Sequence, residues 1–187
     1  MDDRSELDGK FLVAMPGMLD PRFEESVVFM CAHSDDGAMG LIVNKRIPLE
    51  FSELLEQLNI NPDEQVKDTP IYFGGPVEHG RGFILHSSEY SVAQSTLSVT
   101  DKVSLTGTLE ILEDIAAGHG PQQHLLALGY AGWSPGQLEA EIQSNGWLVH
   151  DGDPSMIYSE TPEVLWDESF KDLGIDRRLL SGDWGQA

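Results

Sequence analysis

An intrachain disulfide is the first thing this sequence cannot have. Its 187 residues contain a single cysteine, Cys31, so burial alone must hold the chain, and the length suffices for one core. No apolar stretch approaches the roughly 20 residues of a membrane-spanning helix. The opening residues, Met1-Asp-Asp-Arg-Ser-Glu-Leu-Asp8, are acidic where a secretion signal is basic. The expectation is a cytoplasmic protein with no membrane partner. Positive charge is also scarce: 11 Lys and Arg face 32 Asp and Glu, a net charge of −21, and no basic side chain lies between Lys102 and Lys171. Such a surface repels phosphate backbones and argues against direct nucleic-acid binding. It fits either a solvated face or a docking face for a basic protein partner. The six histidines form no HxxxH or HExxH pair, and no Gly-x-Ser-x-Gly elbow occurs, so no metal, cofactor or serine nucleophile is predicted.

The apolar residues that remain form short runs. Phe11–Met15, Val27–Ala32 and Leu41–Val43 read as strands, with Asp35-Asp-Gly37 turning the last two into a hairpin. Cys31 lies inside the second run and reads as a core thiol, the alternative being a thiolate assisted by His33. Further strands are predicted at Ile71–Phe73, Gly82–His86, Leu97–Thr100 and Leu125–Leu128. About four helices are expected. The first covers Phe51–Leu58. The second is marked by Leu109, Leu112, Ile115 and Ala116 and stopped at Gly118. The third is capped by Ser134 with Gln137 returning a hydrogen bond. The last opens at Thr161-Pro162 and ends at Gly174. Strands early and mixed order later predict an α+β fold, one compact domain over residues 8–180, with mobile ends at 1–7 and 181–187.

Two glycine-punctuated stretches carry the functional expectation: Phe73-Gly-Gly-Pro-Val77 leading to Arg81-Gly-Phe-Ile-Leu-His86, and Leu128-Gly-Tyr-Ala-Gly-Trp-Ser-Pro-Gly-Gln-Leu-Glu139. The N–H groups of Gly74 and Gly75 can converge on an anion, with Arg81 supplying charge and planar donors and His86 a candidate acid or base. The other reading is a tight turn with Arg81 paired to a carboxylate. Trp133, just before a helix start, offers an aromatic wall to a bound ring. Glu139 and Glu141 are alternate residues on a helix and share no face. His33 and His86 end up together only if the strands bring them there.

Taken in order, Gly9-x-Phe-Leu-Val-Ala-Met-Pro16, Asp20-x-x-Phe23, His33, Gly37-x-x-Gly-Leu-Ile-Val-Asn44, the two glycine stretches, Glu141-Ile-x-x-Asn145-x-Trp-Leu148, Trp166 and Leu173-Gly-Ile175 resemble the YqgE/AlgH family nearly end to end. Ser169 departs from the alanine usual there. The resemblance implies a mixed, partly barrel-like sheet in a bacterial cytoplasmic protein, and no established reaction. Some members carry the label of transcriptional regulator. Two functions follow as expectations: binding of a small anionic ligand at Gly74, Gly75, Arg81 and His86, or a non-catalytic regulatory role through a protein partner, since no basic stripe supports DNA binding.

Overall fold

A computed structural model describes residues 6–180 of the chain. Its longest apolar runs become strands because both faces of the sheet are covered. In β1 (Phe11–Ala14) and β2 (Val27–Ser34), Phe11, Val13, Val27, Phe29 and Cys31 enter one core cluster. Leu12, Ala14, Val28 and Met30 enter another on the opposite face. Side chains alternate across a strand, so an unbroken apolar run is what two-sided burial requires.

The chain continues through β3 (Gly37–Ile42), α1 (Phe51–Gln57), β4 (Ile71–Phe73), β5 (Val77–Ser87), β6 (Thr96–Ser98), β7 (Val103–Thr106), α2 (Leu109–Ala116), β8 (His124–Trp133), α3 (Gln137–Gln143), β9 (Trp147–His150) and α4 (Leu165–Asp172). Short 3₁₀ turns occupy Pro154–Tyr158, Pro162–Val164 and Arg177–Leu179. The strands order as β6-β7-β5-β8-β3-β2-β1-β9, each neighbour antiparallel, and β4 adds to β8 in parallel. The fold is α+β: one mixed sheet curled into a half-barrel with four α-helices among the described residues. Its first face is closed by Leu165, Trp166 and Phe170 of α4. Elsewhere α1 and α2 pack Phe51, Leu55, Ile111 and Leu112 against Ile71, Ile84 and Leu126.

Several local expectations shift. On α2, Leu112, Ile115 and Ala116 are buried as anticipated, but Leu109 is 54% exposed and Ile111, fully buried, takes its place on the apolar face. Helix α3 begins at Gln137 rather than beside Ser134, because Gly136 at φ +77° makes the entry. Gln137 Oε1 still accepts from the Ser134 N–H at 3.0 Å, but it also takes the Ser134 hydroxyl at 3.1 Å, which therefore does not cap the backbone. Strands β7 and β9 were not anticipated, and β8 runs five residues past Leu128, to Trp133. The expected mobile ends fall largely on 1–5 and 181–187, outside the described residues; Leu7 packs against the β1–β9 cluster. Among the described residues no helix is long and apolar enough to cross a membrane.

Candidate functional site

The glycine pair lies where β4 passes against β8. The Gly74 N–H donates to Leu128 C=O at 2.8 Å, and its carbonyl accepts from the Ile42 N–H at 2.9 Å. A β-carbon on Gly74 would sit 2.3 Å from the Gly129 carbonyl oxygen, and one on Gly75 2.0 Å from the Tyr130 carbonyl carbon. Both glycines are there so that one backbone can touch another. The Gly74 N–H is consumed by the sheet, so the anticipated convergence of two glycine N–H groups on an anion is not what the geometry presents.

His86 is taken up by structure as well. It is fully buried in β5, with Nε2 2.8 Å from Thr106 Oγ1 and Nδ1 3.0 Å from the Ser87 carbonyl, and its ring stands edge-on to Tyr90. Burial holds its pKa below the ordinary 6.5, partly opposed by the Ser87 carbonyl and Glu89. A histidine kept neutral when folded and protonated when unfolded makes the unfolded chain bind more protons below about pH 6.5. Its contribution is complete above that pH and is lost as pH falls toward the folded pKa. Burial lowers His124 in the same direction, whereas Asp8 and Glu141, raised by burial, act with the opposite sign at lower pH. The urea midpoint is therefore expected to fall between pH 7.5 and 5.5, and His86→Gln should flatten part of that slope. A slope unchanged by the substitution would contradict the assignment.

Arg81 is placed differently. Between Val77, paired with Tyr130, and Gly82, paired with Leu128, the register of β5 against β8 slips, and residues 78–81 bulge out as an exposed segment with Glu78 at φ +47°. Most of the segment between the predicted strands Ile71–Phe73 and Gly82–His86 is thus a bulge within one strand, a device that re-aims side chains. The Arg81 guanidinium stacks 5.0 Å over the Phe83 ring and meets Glu78 loosely, at 3.7 Å, both side chains about half exposed. It borders a recess of about 270 Å³ walled by Leu54, Leu58, Leu112 and Leu128. Gly107 and Thr108 complete the rim, where α2 begins. Thr108 makes no capping hydrogen bond, and its hydroxyl oxygen is buried without a partner. The first-turn N–H groups of a helix lack intrahelical acceptors, so this rim offers donors.

Trp133 lies elsewhere. It is 6% exposed, stacks with Phe23 at 6.4 Å and meets Trp147 edge-on at 6.1 Å, and one side of it lines a groove of about 560 Å³ with Asp8, His33, Met39 and Tyr130. His33 is nearly buried there, and its Nε2 contacts Glu139 Oε1 at 2.5 Å. The contact ties α3 to the β2–β3 hairpin. Glu139 is held below the usual carboxylate range, first by a backbone N–H and then by His33. This cross-chain pair was not legible from either residue's neighbours. The Arg81 recess and the Trp133 groove share no lining residue. The expected set therefore separates: Gly74 and Gly75 in the sheet crossing, His86 in the core, Trp133 in the groove and Arg81 at the recess. Cys31 is a core thiol, 2% exposed, and burial pushes its pKa up.

Comparison with known proteins agrees with this architecture. A family model described as AlgH-like matches residues 11–178. A UPF0301 protein of Paracoccus denitrificans is 51% identical over 190 residues, covering all of both chains. One of Ruegeria pomeroyi is 52% identical over 97% of this chain and all of its own. The solution structure of the AlgH protein from Pseudomonas aeruginosa superposes with a TM-score of 0.80 at 40% identity over the full length of both chains. A crystal structure of a Corynebacterium diphtheriae protein shares the fold, with a TM-score of 0.72 at 22% identity over 97% of this chain and 94% of its own.

Proposed function

The chain belongs to the AlgH-like family, and from that premise we propose that it is a binding protein for a small anionic ligand with an apolar tail, seated at the Arg81 recess. One observation carries the reading: an exposed guanidinium, braced on Phe83, at the mouth of a leucine-walled cavity. The charge and the Thr108 rim suit a carboxylate, while Leu54, Leu58, Leu112 and Leu128 suit a hydrocarbon chain. About 270 Å³ lies just below the usual range of ligand pockets, roughly 300–1,000 Å³, so a short chain fits better than a nucleotide. Among the described residues the lining of the recess includes Arg81 and Thr108 but no histidine or carboxylic acid, and the nearby Glu78 only pairs loosely with Arg81, which favours binding over catalysis. The exposed Glu78 contact is worth little, about 0–1 kcal/mol, and yields readily to a ligand.

A thermal-shift series with octanoate, hexanoate and octanol tests this. Octanoate at about 100 times its dissociation constant stabilises by roughly 2.7 kcal/mol, and the shift should vanish in Arg81→Gln. The side chain is about half exposed, so the variant should fold normally. Equal shifts from octanol and octanoate, or an undiminished octanoate shift in Arg81→Gln, would overturn the reading.

A further inference from the structure

A second cation in this acidic chain has a more constrained setting. Arg46 follows β3 and forms an isolated antiparallel bridge with Tyr72 of β4. Its Nε lies 3.3 Å from the Tyr72 hydroxyl, and the guanidinium sits 5.8 Å from the Tyr72 ring centre. No carboxylate pairs with Arg46 among the described residues, although the protein carries 32 Asp and Glu. It lines a recess of about 200 Å³ together with Thr69, Tyr72, His124, Tyr158 and Glu160. The Tyr158 hydroxyl oxygen is buried and has no hydrogen-bond partner among the described residues. Such a group is costly unless something satisfies it, and native structures leave few of them. Burial pushes the Tyr158 pKa up to about 12, so the hydroxyl stays a donor at neutral pH. Thr69 Oγ1 lies 3.4 Å from His124 Nε2 and adds a hydroxyl to the same wall.

We propose that this recess binds a phosphate group, with the Arg46 guanidinium as the charged anchor and the Tyr158 and Thr69 hydroxyls as flanking donors. The site is separate from the Arg81 recess, with which it shares no lining residue. A guanidinium suits phosphate because its planar donors engage two oxygens at once. Donors drawn from both ends of the β3–β4 connection, Arg46 and Thr69, and from the 3₁₀ turn at Pro154–Tyr158 fit a tetrahedral oxyanion better than a planar carboxylate. At roughly 30 Å³ per water-sized group, 200 Å³ admits a phosphate and the first atoms of an ester, not a nucleotide. Glu160, exposed at the rim, is the only carboxylate lining the recess among the described residues and disfavours further negative charge outside the anchored group. With a net charge of −21, adventitious anion binding is weak, so saturable shifts centred on this recess rather than on Arg81 are diagnostic.

The test is an amide NMR titration of the full chain at pH 7.5 and constant ionic strength, with inorganic phosphate in one arm, glycerol phosphate in a second and sodium chloride as control. Saturable shifts around Arg46, Thr69 and Tyr158 are expected, with Kd raised at least tenfold in Arg46→Gln. Tyr158→Phe should also weaken binding severalfold, and because that hydroxyl has no protein partner the variant should retain its fold. Tighter binding of glycerol phosphate identifies a phosphomonoester site; equal binding identifies a site for free phosphate. Linear shifts matched by chloride, or affinities unchanged in both variants, would overturn the proposal.

Discussion

Gly75→Ala is expected to cost about 3 kcal/mol or more, a fall of roughly 10 °C in Tm for a domain of this size. The added β-carbon would stand 2.0 Å from the Tyr130 carbonyl carbon, 2.2 Å from its oxygen and 2.3 Å from the Ala131 nitrogen. All three are backbone atoms of β8 and cannot rotate away as a side chain would. Relief requires the chain between β4 and β5 to lift off β8, which pulls on the ladders that β8 forms with β4, β5 and β3 together. Gly80→Ala provides the control. It lies five residues along, in the exposed bulge, where a β-carbon meets nothing within 4 Å, so the change should stay within about 0.5 kcal/mol. Urea unfolding of the two variants beside the parent measures both. Comparable losses would mean that the crossing is not the constraint.

The same crossing explains how far the sequence could be read. Glycine at Gly74, Gly75 and Gly129 signals that something must approach the backbone closely, and that much was legible. Whether the visitor is a ligand or a neighbouring strand depends on pairing between residues about 50 positions apart, which local pattern does not carry. Here the visitor is β8. The extent of β8 was hidden for the same reason, because Gly129 and Gly132 look like loop residues until their partners are known. In β7, Val103-Ser-Leu-Thr106 alternates over only four residues, too short a run to stand out, and Ser104 and Thr106 are buried where that alternation implies a solvent face. Strands β1 and β2 were plain because two-sided burial leaves an unbroken apolar run. Arg81 was visible as a cation beside glycines, but its leucine walls come from α1, α2 and β8, far apart in the chain. Arg46 had a signal in Asn44-Lys-Arg46, a basic pair in an acidic chain, whose meaning needed Tyr158 brought alongside.

Trp166→Ala is the second large effect, expected at about 3–5 kcal/mol, the usual cost of emptying a buried aromatic site. Trp166 is the main anchor of α4 on the sheet. Its indole is 6% exposed, stands edge-on to Phe170 at 5.0 Å, and donates through Nε1 to the Ala14 carbonyl at 2.8 Å. That hydrogen bond spans 152 residues and joins the last helix to the first strand. Trp166→Phe separates the two contributions. It keeps an aromatic ring in the core but leaves the Ala14 carbonyl without the indole, for an expected loss of about 1–3 kcal/mol. Because Trp166 belongs to the same cluster as Phe29, Leu85 and Leu105, α4 should unfold with the half-barrel rather than ahead of it. Far-ultraviolet and tryptophan signals would then give coincident urea transitions in both variants, displaced from the parent. If α4 instead lost hydrogen-exchange protection alone while the sheet kept its midpoint, the last helix would be an appendage, and the hydrogen bond to Ala14 would be a consequence of docking rather than part of the shared core.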